Sequence, residues 1–181
     1  MLRSNRIFVS GGSNGGAIAA VLACEAARNQ FGNRIAAIAL VVMAPGFPWS
    51  NPTQPICPEL RQAPVPTRVI VSNKDQTLAL VFLGNVEKLN QTLRTTVGTW
   101  ARDNGCAAES TGAVTGQSGC SVLAETVTHA CSGVGSARAD TVLDVFDSNV
   151  EGCKGHVWPG GTPGSYPATD VILKFFLDHP R

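Results

Sequence analysis

Ser13, Asp75 and His156 have the residue types, and stand in the order serine, acid, histidine, that acyl transfer requires. A serine is a poor nucleophile at its own pKa. It becomes a good one when a histidine takes its proton during attack on an ester carbonyl and an acid holds the other imidazole nitrogen. Ser13 carries the strongest local signal, as the centre of Gly11-Gly12-Ser13-Asn14-Gly15, a G-x-S-x-G. The β-forming Ile7, Phe8 and Val9 precede it, and Ala17 to Ala27 supply helix-favouring residues after it. A strand that feeds a glycine turn from which a helix leaves holds the serine at a strained apex, with its Oγ exposed. At such a helix N-terminus the backbone N–H of Asn14 is placed to donate to the tetrahedral oxyanion. Its side chain suits local backbone bonding equally well.

Each residue also has a plainer explanation. The Gly/Ser stretch has the composition of an ordinary strand-to-helix loop, or of a phosphate cradle. No Gly-Lys-Ser/Thr follows and no acid ends the next strand, which counts against a nucleotide. Asp75 alone reads as a turn aspartate, but Asp140, Asp144 and Asp147 lie within or beside the last strand and fit the acid's place less well. His156, in Gly155-His-Val-Trp-Pro-Gly-Gly161, has the rigid loop a base needs. His129 lies in a stretch without clear structure, and His179 at the end of the last helix. Phe47, Trp49 and Trp158 are aromatic candidates for a substrate wall, with loop packing as the other use of Trp158.

The elements that must position these residues alternate in type. After the helix that leaves the Ser13 turn, which runs to about Asn29, the apolar stretch Ile35 to Met43 predicts a strand buried on both faces. The proline-rich residues 47 to 66 predict an ordered loop without regular structure. Arg68 to Ser72 predicts a strand that ends into Asn73-Lys74-Asp75. A helix follows from about Val86 to Arg102, stopped by Asn104-Gly105, and within it Asn90-Gln91-Thr92 is a glycosylation sequon. Residues 107 to 139 show no period, with room for a short strand near Val122 to Thr128. Thr141 to Phe146 alternates like a last strand, and Thr169 or Asp170 suits the cap of a final helix with Val171, Ile172, Phe175 and Phe176 on its apolar face. Alternating strands and helices predict an α/β domain with a mostly parallel sheet, whose chemistry collects at the strands' carboxyl ends.

Bulk properties agree with one such domain of 181 residues. A net charge of +1 argues against nucleic acid or a charged membrane surface as partner. No apolar run reaches the roughly 18 residues of a membrane span. Six cysteines without a C-x-x-C pair favour disulfides in an oxidising compartment over a metal site. Serine-based acyl transfer calls for no cofactor.

Arg6-Ile-Phe-Val-Ser-Gly-Gly-Ser-Asn-Gly-Gly16, Leu22-Ala-Cys24, Ile35-Ala-Ala-Ile38, Trp100-Ala-Arg-Asp-Asn-Gly-Cys106, Gly155-His-Val-Trp-Pro-Gly-Gly161 and Ile172 to Pro180 together resemble the secreted feruloyl esterase and poly(3-hydroxybutyrate) depolymerase-like esterases. The resemblance implies an α/β-hydrolase domain over residues 1–181, with Ser13 as nucleophile, Asp75 as acid and His156 as base. It implies a Cys106–Cys131 disulfide and a secreted protein, although no signal peptide stands in this chain. The group's usual N-terminal strands are missing here, so the sequence reads as an N-terminally truncated member. The substrate implied is a feruloyl or acetyl ester of plant cell-wall polysaccharide, with a short-chain polyester as the alternative. A non-catalytic remnant acting as a binding module is the alternative from another class.

Overall fold

The structure, a computed structural model, describes residues 7–29, 34–47, 54–113, 121–131, 139–147, 155–160 and 165–179. Its elements are β1 (Ile7–Gly12), α1 (Asn14–Arg28), β2 (Ile35–Val41), β3 (Thr67–Ser72), α2 (Gln76–Ala79), α3 (Val86–Asp103), β4 (Cys106–Ala113), β5 (Val122–Cys131), β6 (Thr141–Asp147) and α4 (Ala168–Asp178). They form an α/β structure with a six-stranded sheet in the order β1-β2-β3-β6-β5-β4. Strands β1, β2, β3 and β6 are parallel, β5 pairs antiparallel with β6, and β4 pairs antiparallel with β5. The sheet is therefore mixed and mostly parallel.

The continuous apolar run of β2 is explained by burial on both faces. Ile38 and Leu40 point into a core beneath α1 and α3, with Ala23, Leu89, Leu93 and Trp100. Ala37, Ala39 and Val41 point into a second core beneath α4, with Ile172, Phe175 and Phe176. The period of two in β3 and β6 divides in the same way: Val69, Leu143 and Val145 face α1 and α3, whereas Ile70, Val142 and Phe146 face α4.

The apparent polar side of β6 is buried too. Asp144 is fully inaccessible. Its Oδ2 accepts from Arg68 Nε at 2.7 Å and from the Tyr166 hydroxyl at 2.5 Å, and its Oδ1 accepts from Thr126 Oγ1 at 2.8 Å. A buried carboxylate persists only when so paired. Burial first, and then the neighbouring Asp144 charge, push the Tyr166 hydroxyl far above its ordinary pKa, so it remains a donor. This network fastens the segment before α4 to the centre of the sheet.

Residues 107 to 139, undecided from sequence, supply the β4/β5 ladder. Its strands are rich in Ala, Thr, Ser and Glu, and most described β5 side chains are only partly buried, so no strong apolar alternation marks them. The final helix also begins before either proposed cap. Pro167 occupies the cap position of α4, and the Thr169 hydroxyl has another partner.

The stretch Trp100 to Cys106 is an anchor at the other end of the sheet. Trp100 Nε1 donates to Thr67 Oγ1, Asp103 Oδ2 accepts from the N–H groups of Ile56 and Cys57, and Asn104 exchanges hydrogen bonds with the Val65 backbone. Cys106 and Cys131, the pair implied by the resemblance, stand opposite one another in the β4/β5 ladder and form a disulfide. A second disulfide joins Cys24 of α1 to Cys57. Cys120 and Cys153 lie outside the described residues.

The Cys24–Cys57 bridge closes a separation of 33 residues, a constraint worth about 3–4 kcal/mol if it acts on the entropy of the unfolded chain. The Cys24→Ala/Cys57→Ala double variant is expected to lose that much unfolding free energy in urea, read against the parent. Among the described residues no helix is long and apolar enough to cross a membrane.

Candidate active site

Ser13 sits between β1 and α1 with φ 52° and ψ −124°. A non-glycine residue held there costs on the order of 1–3 kcal/mol, and such strain persists only where the surroundings impose it. The Ser13 N–H donates to the Val41 carbonyl at 2.9 Å, and the Ser13 carbonyl accepts from Gly16 and Ala17 to open α1. Although Ser13 is the N-cap residue, its side chain makes no capping bond. The hydroxyl is left for other use.

Close packing explains only part of the G-x-S-x-G spacing. A Cβ on Gly11 would lie 2.3 Å from the Gly15 carbonyl carbon and oxygen, so strand and helix approach too closely for any side chain there. A Cβ on Gly16 would lie 3.0 Å from both the Gly11 oxygen and the Met43 Cβ. A Cβ on Gly15 would meet nothing within 4 Å. The steric demand therefore falls on Gly11 and Gly16, and the final glycine of the pattern occupies open space.

The acid enters from the turn after β3. The Asn73 N–H donates to the Phe146 carbonyl at 3.0 Å and the Lys74 N–H to Ser72 Oγ at 3.0 Å, which fixes the turn against the end of β6. Asp75 is 1% exposed, and its two oxygens have separate partners. Oδ1 accepts from the Leu78 N–H at 2.8 Å, capping α2, while Oδ2 faces His156 Nδ1 at 2.8 Å. Asn90, the sequon asparagine, uses its amide to donate to the Asn73 carbonyl at 2.9 Å. A glycan on that nitrogen would replace one of its two hydrogens and leave a single N–H for this contact.

His156 links the other two residues: its Nε2 lies 3.0 Å from Ser13 Oγ. An ionised carboxylate only accepts, so Nδ1 carries the proton toward Asp75 and Nε2 is left to accept from the serine hydroxyl. That tautomer is the one able to take a proton from Ser13. The three groups come from positions 13, 75 and 156, and the carboxyl ends of β1, β3 and the segment beyond β6 bring them together.

Gly155 is a further requirement of this geometry. A Cβ there would lie 2.5 Å from the Lys74 carbonyl oxygen and 2.7 Å from the Asp75 nitrogen, so the base loop rests directly on the backbone of the acid turn. A glycine immediately before the histidine was the only available signal. Gly155→Ala must push the two segments apart, and a misplacement near 1 Å typically costs about 10²-fold. Under the acyl-transfer reading proposed below, Gly155→Ala is expected to lower kcat/KM by that order, with the parent assayed alongside.

The remaining candidates fall in different places. Trp158 is 42% exposed beside Gly12, whereas Phe47 is 3% exposed and packs edge-to-face on Phe82 at a centroid distance of 6.0 Å. Phe47 also lines an apolar cavity of about 300 Å³ with Ala17, Val21 and Ile56. Trp49 lies outside the described residues. The Asn14 N–H is in the first turn of α1, where such groups lack an intrahelical acceptor.

His129 is on β5, near Glu109 and Arg102, and burial chiefly lowers its pKa. His179 approaches the Phe175 carbonyl at 2.8 Å. Asp147 pairs with Lys74 at 3.4 Å, and Asp140 accepts from the Cys131 N–H at 3.3 Å. None of these alternative histidines and acids joins the contacts among Ser13, Asp75 and His156. Comparison of the chain with protein-family models and with curated proteins finds no match.

Proposed function

We propose that this chain is a serine carboxylic-ester hydrolase with an α/β-hydrolase fold, acting through an acyl-serine intermediate. The observation that carries this reading is the continuous hydrogen-bond chain Ser13 Oγ to His156 Nε2 and His156 Nδ1 to Asp75 Oδ2, at 3.0 and 2.8 Å, with the serine at a strained turn. In the first step Ser13 Oγ bonds to the ester carbonyl carbon and its proton passes to His156 Nε2. Asp75 stays ionised and stabilises the imidazolium. The carbonyl electrons move onto oxygen, where the Asn14 N–H donates to the developing charge. Collapse breaks the bond to the leaving alcohol, which takes the proton from His156. Water, deprotonated by the same nitrogen, then attacks the acyl carbon; collapse breaks its bond to Ser13 Oγ, which takes the proton back from His156, and the carboxylic acid is released.

Sequence resemblance favours feruloyl or acetyl esters of plant cell-wall polysaccharide. The disulfides support an oxidising, extracellular setting. A second reading, a short-chain polyester, is favoured by Leu80, Val81 and Leu83, which follow the α2 helix that Asp75 caps and are 71%, 53% and 100% exposed. An apolar polymer would find contact area there.

The test is intact-mass analysis after a fluorophosphonate is added to the non-reduced protein, with peptide mapping of the adduct. One adduct on the peptide containing Ser13 is expected, because the reagent needs an activated serine. Folded protein that takes up no adduct at Ser13 would mean a binding module without catalysis. Feruloyl, acetyl and 3-hydroxybutyrate esters assayed in parallel then separate the substrate readings.

A further inference from the structure

We propose that Trp158 and Thr169 form a positioning pair that sets the reach of His156 to Ser13, an inference that rests on the serine-hydrolase reading for its catalytic meaning. Trp158 lies two residues beyond the base, and its indole is braced on two sides. Its Cε3 lies 3.5 Å from the point a Cβ on Gly12 would occupy, next to the residue that precedes Ser13. Its Nε1–H donates to Thr169 Oγ1 at 3.1 Å. One side chain thereby spans the serine turn, the base loop and the first turn of α4.

The far end of that brace is firm. The Tyr166 hydroxyl donates to buried Asp144, and the Ala168 N–H donates to the Pro159 carbonyl at 3.3 Å. Thr169 follows directly and is itself exposed. By contrast, the base loop, described over residues 155–160, has no helix or strand to hold it. Among the described residues its fixed points include Gly155 on the acid turn, the His156 contacts, the indole, and Pro159, which is buried and whose carbonyl accepts from Ala168. Burial does not account for an indole that is 42% exposed, and a tryptophan N–H needs a partner only when water is kept from it.

Position and stability should separate cleanly here. A neutral hydrogen bond between exposed groups adds little to global stability. A loop free to drift toward 1 Å from its place loses rate by powers of ten. Thr169→Val keeps the shape and removes the acceptor, Thr169→Ser restores it, and Trp158→Phe removes the donor while keeping a ring on Gly12.

The experiment measures kcat and KM on a soluble p-nitrophenyl ester, thermal midpoints, and the downfield proton resonance of the His156 Nδ1–H bonded to Asp75. Thr169→Val and Trp158→Phe are expected to lower kcat about tenfold with KM within about twofold, and to shift or broaden that resonance, with midpoints nearly unchanged. Thr169→Ser is expected to return both signals to those of the parent. A Thr169→Val protein with parental kcat and a parental resonance overturns the inference, as does a loss in which midpoint, KM and kcat fall together. If the parent hydrolyses no ester, the hydrolase reading fails by itself. The resonance then decides the positioning role alone: perturbed in Thr169→Val and restored in Thr169→Ser supports it, and unchanged in both overturns it.

Discussion

Ser13→Ala is expected to lower kcat/KM for ester hydrolysis by on the order of 10⁶-fold, close to the loss when all members of such a triad are removed together. The size follows from the role. Without Oγ the proposed acyl-enzyme cannot form, and His156 and Asp75 have nothing to activate, so in that mechanism the residual rate comes from substrate binding and the Asn14 N–H alone. The fold should not suffer. Ser13 Oγ makes no helix-capping bond, and its hydrogen-bond partner is His156 Nε2. A companion variant separates strain from chemistry. At φ 52° glycine escapes the ~1–3 kcal/mol that any side chain pays, while its extra freedom in the unfolded chain takes back roughly 0.5–1 kcal/mol. Ser13→Gly is therefore expected to be as inactive as Ser13→Ala and more stable than the parent in urea. Equal or lower stability would show that the turn stores no strain.

The contrast between what the sequence discloses and what it hides follows from range. The serine turn is legible because strand, turn and helix are contiguous, and each writes its own local pattern across residues 7 to 28. Asp75 and His156 are legible through their places after apolar strands and within turn-rich loops. The contacts joining them span 81 and 143 residues, and no local pattern encodes those. Gly155 stayed silent for the same reason: its requirement is the backbone of Lys74 and Asp75, far away in sequence. Asp144 read as one polar position of an alternating strand, yet Arg68, Tyr166 and Thr126 converge on it from separations of 76, 22 and 18 residues. The β4/β5 ladder lacked a signal because its partly buried faces accept Ala, Ser and Thr as readily as Val.

Asp75→Asn is expected to cost about 10⁴-fold in kcat, and the reason lies in how the two oxygens of Asp75 are divided. Oδ1 accepts from the Leu78 N–H at the start of α2, and an asparagine must keep its own carbonyl oxygen there or leave that cap without an acceptor. Its amide nitrogen is then turned toward His156 Nδ1, and two donors would meet. The conflict resolves when Nδ1 gives up its proton and accepts, which places the proton on Nε2, facing Ser13 Oγ. A histidine in that tautomer cannot take the serine's proton. Asp75→Ala provides the control: it should lose activity to a similar degree and also lose about 1 kcal/mol of stability with the α2 cap, which Asp75→Asn retains. Single-turnover ester cleavage and urea denaturation of both variants measure the two effects separately. If Asp75→Asn kept its rate within tenfold of the parent, the α2 cap would not be dictating the orientation of the acid. His156 would then be finding its working tautomer without help from Asp75.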